Sequence, residues 1–582
     1  MGERISATHD VDQIEAALRY HERTKHQFNR YADGPAQLDW ANQPDPFRRY
    51  EGTPLIHLPR LGFDEEPLSP GYSDLYLRGL MPSAPLTVRS LARLFQYALA
   101  ISAWKQVSTT RWSLRCNPSS GNLHPTEGYL LAGALPGLGD APGLYHYAPR
   151  EHGLERRVVF DERLFAALMR EFPAHTLLVG LSSIHWREAW KYGERAFRYC
   201  QHDVGHAIGT LRVAAATLGW SAALLHGLAD QTIEDVLGLN RAEDFAGAER
   251  EHPAAVLAVW PNNPTEDGQA GAPRIIPRHL DPTVARQLTR AGWQGIANRL
   301  SRDEPVRWDV IDAVTAATRK PAIEAQGLGA LEVPAVGSNG HTSADGPTAR
   351  QIILQRRSLQ ACDGRTSITA ERFYRMLARL MPRVELPASQ RPIPWDTIAW
   401  NPAIHLGLFV HRVDGLESGL YLLARDPDKT DKLQRAMHER FVWTPPPGCP
   451  ADLPLRLLEA GDTRRLATQL CCHQNIAGDG AFSLGMIAEY QEALFTHGAW
   501  FYRQLFWESG LIGQVLYLEA EAADVRATGI GCFFDDPVHR VFGLDNLAFQ
   551  SIYHFTVGGS VDDQRLTTLA PYAAALETDA TR

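Results

Sequence analysis

Apolar positions fall into one series of patterns twice along this chain. Leu91, Leu94, Phe95 and Ala98 recur at i, i+3, i+4 and i+7, and Phe373, Met376, Leu377 and Leu380 repeat that spacing. This is the period of a helix with one buried face. Thr87 and Thr369 stand where each helix wants an N-cap. In each half an apolar strand pattern then ends in Gly-Leu-Tyr, at Gly143 and at Gly419. Later a long helical stretch sets an Arg seven residues ahead of a Gly, Arg198 before Gly205 and Arg503 before Gly510, both matches lying 305 positions apart. Each stretch runs into Ala-rich sequence and a Gly turn, AAATLGW and ATGIGCF, and each half closes on a V-x-G-L-type step, VLGL and VFGL.

Strands interspersed with long helices predict an α+β sandwich, and the repetition predicts two related halves. A repeat of this kind argues for a fold and is silent on function. Gly, Pro and Ser cluster at 261–274 and at 326–348, and the second cluster reads as a linker. The predicted organisation is a head segment at 1–60, a first half at 61–275, a helical connector and linker at 276–350, and a second half at 351–582. The helical signal in the connector is RWDVIDAVTAAT.

At 582 residues the chain is too long for one ordinary core, which agrees with two or three units. A net charge of -9 argues against nucleic acid or an anionic membrane as the main partner, since both reward basic surfaces. The seven cysteines are odd in number and scattered, without a C-x-x-C pair, so a disulfide framework is not expected and a reducing, cytoplasmic setting is. The first residues carry no apolar signal-peptide region, and no run approaches ~18 apolar residues, so no membrane span is expected.

The densest candidate chemistry is Arg115-Cys116-Asn117-Pro118-Ser119-Ser120-Gly121-Asn122-Leu123-His124-Pro125. Its prolines fix φ, its glycine frees it, and its serines and asparagines supply short polar groups. Such a loop presents backbone N–H groups along a fixed curve, which suits the edge of a flat polar heterocycle. A plain turn between helix and strand is the other reading of the same residues.

In this loop the chain resembles the nitroreductase superfamily, whose flavin-cradling loop reads P-S-S-x-N-x-x-P in many members, and more closely its SagB/ThcOx-type dehydrogenase branch. NPSSGNLHPTE, GLYHY (Gly143 to Tyr147) and WREAWKYGERAFRY (Trp186 to Tyr199) carry the likeness, which covers residues of about 85–260 and 351–575. The head segment YHERTKHQFNRYA also resembles tandem members, and its residues suggest no physical role. The resemblance implies an α+β fold of two tandem nitroreductase-like α/β sandwich domains that form a pseudo-dimer within the chain and bind FMN. It puts Arg115, Asn117, Pro118, Ser119, Ser120, Gly121, Asn122 and His124 in the cofactor-binding set, joined by Gly529 and Gly531 of the second half.

The second half carries Arg356-Arg357-Ser358 just before its first helix. Arginine grips phosphate bidentately and a helix start adds N–H groups, although a paired Arg also suits a solvated surface. By the resemblance, R-R-S binds the FMN phosphate and ribityl chain. The family often has a basic residue two beyond the Ser, near flavin N1 and O2, and here that position is Gln360, a neutral donor. Arg565 in DQRL resembles a second phosphate-contacting Arg, with an exposed charge as its plain alternative.

The halves are complementary in what they lack. The second-half counterpart of the loop is PWDTIAWNPA, without S-S-G-N, and the first-half counterpart of Arg356 falls at Asp74-Leu75-Tyr76, without a basic pair. Nitroreductases take phosphate ligands from one subunit and the P-S-S loop from the other. The resemblance therefore implies one intact composite site per chain, with domain 2 on the phosphate and domain 1 under the ring.

Lys191-Tyr192 resembles a Lys-Tyr pair important for catalysis in azoline-oxidising relatives, and at the equivalent offset the second half has Thr496-His497. Hydride transfer at flavin N5 needs a proton partner on the substrate, which these two side chains can supply. A surface Lys beside a core Tyr is the alternative. His202 and His206 have the i, i+4 spacing of metal ligands, but Asp203 stands where a metalloprotease needs Glu, so a packed helix is the better reading. Cys471, Cys472 and His473 are too close together for a tetrahedral site. The pairs Gly327/Gly329, Gly478/Gly480 and Gly529/Gly531 begin G-x-G without completing a dinucleotide fingerprint, and Ala481-Phe482-Ser483-Leu484-Gly485 lacks the strand-then-helix frame of a nucleophile elbow.

The expected function is FMN-dependent oxidation or reduction of a small molecule or modified peptide, with NAD(P)H as a candidate partner. Two alternatives stand beside it. One is a catalytically silent partner subunit, and the other is an NAD(P)H-dependent nitro, quinone or flavin reductase. Oligomers beyond the intrachain pseudo-dimer are left open.

Overall fold

Two antiparallel sheets repeat one strand order. The first runs Leu55–His57, Gly153–Val159, Gly143–Ala148, Thr126–Ala132, Leu177–Ser183, His252–Pro261, Trp220–Leu224. The second runs Leu455–Ala460, Gly419–Leu423, Ile404–Val410, Phe482–Glu489, Phe549–Gly558, Arg526–Ile530, which matches the first strand for strand once its edge strand Leu55–His57 is set aside. These strands come from a computed structural model that describes residues 9–77, 81–262, 274–322, 331–333 and 346–572. Most of the stretch predicted as a linker, with Gly327 and Gly329, lies outside the described residues.

The helix caps form as their sequences require. Thr87 and Ser90 close a capping box at the helix Val88–Ala98, and Thr369 Oγ1 accepts from Arg372 N at the helix Ala370–Arg379. The Gly-Leu-Tyr steps differ from the sequence pattern, because they open the strands Gly143–Ala148 and Gly419–Leu423 instead of ending earlier ones. The second-half turn also differs. Gly219 ends the first long helix with φ 65°, and 305 positions on the same turn is made by Asp524 with φ 62°. ATGIGCF lies instead on and just past the strand Arg526–Ile530. Asp tolerates this left-handed conformation, so a pattern that looks for Gly passes over it.

The two long helices, Ala196–Thr217 and Phe501–Ala522, pack against each other and are buried nearly throughout. A helix covered on all sides shows little amphipathic pattern. Their crossing is reciprocal. A Cβ on Gly205 would sit 2.2 Å from Trp507 O, and one on Gly510 would sit 2.2 Å from His202 O, so neither position has room for a side chain. Two buried ion pairs repeat the exchange, Arg198 with Asp535 and Arg503 with Asp230, each at 2.8 Å. Both aspartates open short helices, Asp230–Leu237 and Asp535–Phe542, where a negative charge meets the positive end of the dipole.

Segments at both ends of the chain cross between these layers. The helix His9–Arg23 places Tyr20 edge-on to Phe197 and Tyr502, one ring from each long helix. The strand Thr567–Leu569 pairs with Ile101–Val107, which pairs in turn with Thr110–Arg115. All seven cysteines are free. Among the described residues no helix is long and apolar enough to cross a membrane.

Candidate active site

A cavity of about 890 Å³ opens where the loop after Thr110–Arg115, the stretch after the helix Ala349–Gln355 and the end of the strand Arg526–Ile530 converge. The loop forms its floor. Ser120–Asn122 make one tight turn with φ 57° at Gly121, and φ stays positive at Asn122 (61°) and His124 (52°). Hydrogen bonds hold this unusual path. His124 N donates to Ser119 Oγ (2.8 Å), and Asn122 Nδ2 donates to Ser113 O (2.9 Å).

Asp203, from the first long helix, fixes the turn from below. It accepts Ser119 Oγ at 2.6 Å and both Ser120 N and Ser120 Oγ at 3.0 Å. Burial disfavours its charge and raises its pKa to about 7, with the three donors pulling the other way. Glu188 is buried close by, both its oxygens lack a hydrogen-bond partner among the described residues, and burial together with Asp203 pushes its pKa well up. Both shifts favour the protonated carboxyl, and Asp203 is the one that touches the loop.

Arg356 joins the halves at this point. Its Nη2 donates to Arg115 O (2.9 Å) and its Nε to Cys116 O (3.2 Å), both at the start of the loop. Arg357 is half-buried beside it, and burial followed by the Arg356 charge lowers its pKa to about 10. Lys105 and Arg526 extend this basic wall, with Arg526 already paired to Asp562 at 2.8 Å. Like charges gathered in partial burial favour an anion among them. Ser358 Oγ meets Tyr517 Oη at 3.1 Å, and that hydroxyl accepts Gly529 N at 3.2 Å.

The remaining predicted residues fall as follows. Pro118, Gln360, Gly529 and Gly531 line the cavity, the two glycines lying against Tyr553 and Tyr199. Arg115 lines it too, but its guanidinium turns to Pro46 O and to the Phe47 ring. Lys191 and Tyr192 end the helix His185–Tyr192 on the cavity wall, with Lys191 Nζ 5.2 Å from the Tyr192 ring and Tyr192 Oη against Gly121. Burial and Glu188 raise the Tyr192 pKa well above its usual value, which keeps its hydroxyl a donor. Arg565 is not brought to the cavity. It pairs with Asp563 at 2.7 Å and its side chain is 81% exposed, because the adjacent carboxylate captures it first.

Residues 92–248 match the model described as the nitroreductase family. They form a nitroreductase family domain. A protein of Methanocaldococcus jannaschii, named as a nitroreductase, is 27% identical over 161 residues, covering 27% of this chain and 76% of that one. A crystal structure from Anabaena variabilis, likewise named as a nitroreductase, superposes with a TM-score of 0.63 at 21% identity over 94% of this chain and 99% of the other. That likeness is one of fold, and it runs through both halves.

The nitroreductase family domain contains the loop, Asp203, Lys191, Tyr192 and Lys105, whereas Arg356, Arg357 and Arg526 of the basic wall lie beyond it. The lining fits a flat group with an anionic tail. Arg356 Nη1, Asn117 Oδ1 and His124 Nδ1 are buried, belong to lining residues and have no hydrogen-bond partner among the described residues. Such atoms are costly unless a bound group meets them. Sequence reasoning missed Asp203, the tyrosines Tyr199, Tyr517 and Tyr553, and the head residues His26 and Tyr31, all on or under the lining. A charged residue within a helix buried on every side was the available signal for Asp203. His202 and His206 pack on Tyr553, the first stacked at 3.9 Å.

Proposed function

We propose that this chain is an FMN-dependent oxidoreductase of the SagB/ThcOx type, with one flavin site built between tandem halves at residues 61–275 and 351–582. The observation that carries the reading is the bond from Arg356 to the carbonyls of Arg115 and Cys116, which sets the phosphate-type residues beside the P-S-S loop on one cavity. When bound, FMN would supply two-electron transfer at N5 to a small molecule or modified peptide, with NAD(P)H as a donor to be tested.

The chain's own groups divide the remaining work. Arg356 and Arg357 hold the phosphate, and Ser358 and Gln360 reach the chain that leads from it. The Asn117–Asn122 turn offers its donors to the ring edge, held in place by Asp203. Lys191 and Tyr192 give or take the substrate proton at the mouth of the turn. Tyr31 and Pro35 from the head segment line the same cavity.

Titrating purified protein with FMN and following the visible spectrum tests this reading. One FMN per chain is expected, with bleaching on anaerobic addition of NADH or NADPH if either is the donor. Two tightly held FMN per chain would overturn the single composite site. A chain that stays colourless and takes up no FMN would favour the silent partner subunit.

A further inference from the structure

Cys472 and Cys532 sit on two segments that the fold ties together at the cavity's edge. Phe534 N donates to Leu470 O (2.8 Å), and Gln474 Nε2 donates to Cys532 O (3.0 Å). Between these ties the turn holds Cys472 and His473 at φ 52° and 59°. The adjacent cysteines therefore have different surroundings. Cys471 is buried with its Sγ 3.4 Å from His554 Nδ1, while Cys472 is half-buried and faces Cys532. Cys532 is half-buried as well and lines the cavity beside His26, Tyr31 and Gln474.

The surroundings of this pair are asymmetric. Cys472, followed by His26 and Arg195, favours the thiolate of Cys532, and of the two sulfurs' residues it is Cys532 that lines the cavity. That is the arrangement of an attacking thiolate with a resolving thiol next to it. Neither cysteine has a place in the flavin chemistry proposed above.

We propose that Cys472 and Cys532 form a reversible redox pair, closed to a disulfide by a peroxide and reopened by a dithiol. The Cys532 thiolate attacks one oxygen of hydrogen peroxide. The O–O bond breaks, hydroxide leaves and takes a proton from solvent, and Cys532 becomes a sulfenic acid. Cys472 then attacks that sulfur, the S–O bond breaks, and the second water departs with the Cys472 proton. Two thiols lose two electrons and the peroxide gains them. The new bond locks the Cys471–His473 turn to the end of the strand Arg526–Ile530, at the wall where the head segment crosses the cavity. Reduction by a dithiol such as dithiothreitol runs through a mixed disulfide at one of the two sulfurs and restores both thiols.

The test uses the full chain, treated with hydrogen peroxide, alkylated with iodoacetamide and mapped by mass spectrometry without reduction. A Cys472–Cys532 cross-linked peptide is expected, with loss of both alkylation sites and their return after dithiothreitol. In Cys472→Ser, dimedone traps a sulfenic acid on Cys532. In Cys532→Ser, Cys472 remains open to alkylation after peroxide, and thermal melts confirm that both variants fold. Recovery of both cysteines in alkylated form from oxidised wild type overturns the proposal, as does a Cys532 that passes to sulfinic acid without a cross-link. Neither result depends on whether the chain binds flavin.

Discussion

Asp203 and Glu508 stand 305 positions apart on the two long helices, and they anchor the loops that lead into the matching strands Thr126–Ala132 and Ile404–Val410. Asp203 holds Ser119 and Ser120, while Glu508 accepts Trp400 Nε1 at 3.2 Å and Ala403 N at 3.0 Å. The counter-charge separates them. Glu508 is paired with the buried Arg425, and among the described residues Asp203 has no ion-pair partner. The spaces beyond the loops differ as well. Where the first side has Gly531 and Arg195 on the cavity, the second has His226 and Trp500, with ring centroids 5.6 Å apart and Lys320 Nζ 4.7 Å from the Trp500 ring. One scaffold with one kind of carboxylate anchor thus supports an open polar cavity on one side and an aromatic packing on the other. The anchor belongs to the fold, and the chemistry lies in what fills the space next to it.

That contrast can be broken at its strongest point first. Arg425→Met leaves Glu508 buried without its cation, and a loss of about 3–5 kcal/mol is expected from a urea midpoint. FMN uptake by the remaining protein should stay unchanged. If uptake falls in step with stability, the two sides are not separable in the way described.

The next effect is on turnover. Lys191→Ala should retain flavin while lowering turnover by about a hundredfold, within the usual range for a lost acid–base group. Thr496→Ala, at the counterpart position, should leave turnover where it was. Equal rates for both variants would remove Lys191 from the proton step.

The gentlest effect at any single pH is a slope. The Asp203 pKa is raised from 3.8 to about 7 on folding, so the folded chain binds the extra proton. Its contribution to stability is full below about pH 4 and is lost as pH rises to about 7, at up to about 1.4 kcal/mol per pH unit. Asp203→Asn should flatten that window in urea titrations, leaving the rest of the profile intact. A variant as steep as wild type there would assign the slope to other groups.

Local chemistry and period were legible in the chain itself. The spacing of Leu91, Leu94, Phe95 and Ala98 and the caps Thr87 and Thr369 follow from interactions between near neighbours in sequence, and the 305-residue repeat is the recurrence of such local patterns. The loop from Arg115 to Pro125 was legible for the same reason, since prolines, glycine and short polar side chains announce a shaped turn. Only the tertiary structure decided what those elements meet. It set Asp203 under the loop, brought Arg356 across to the Arg115 carbonyl, and left Arg565 with Asp563. It also paired Arg198 with Asp535 and Arg503 with Asp230 across a crossing that two glycines make close enough. A charge in a helix reads alike in sequence whether solvent, a loop or a second helix lies over it, and burial is what makes the difference.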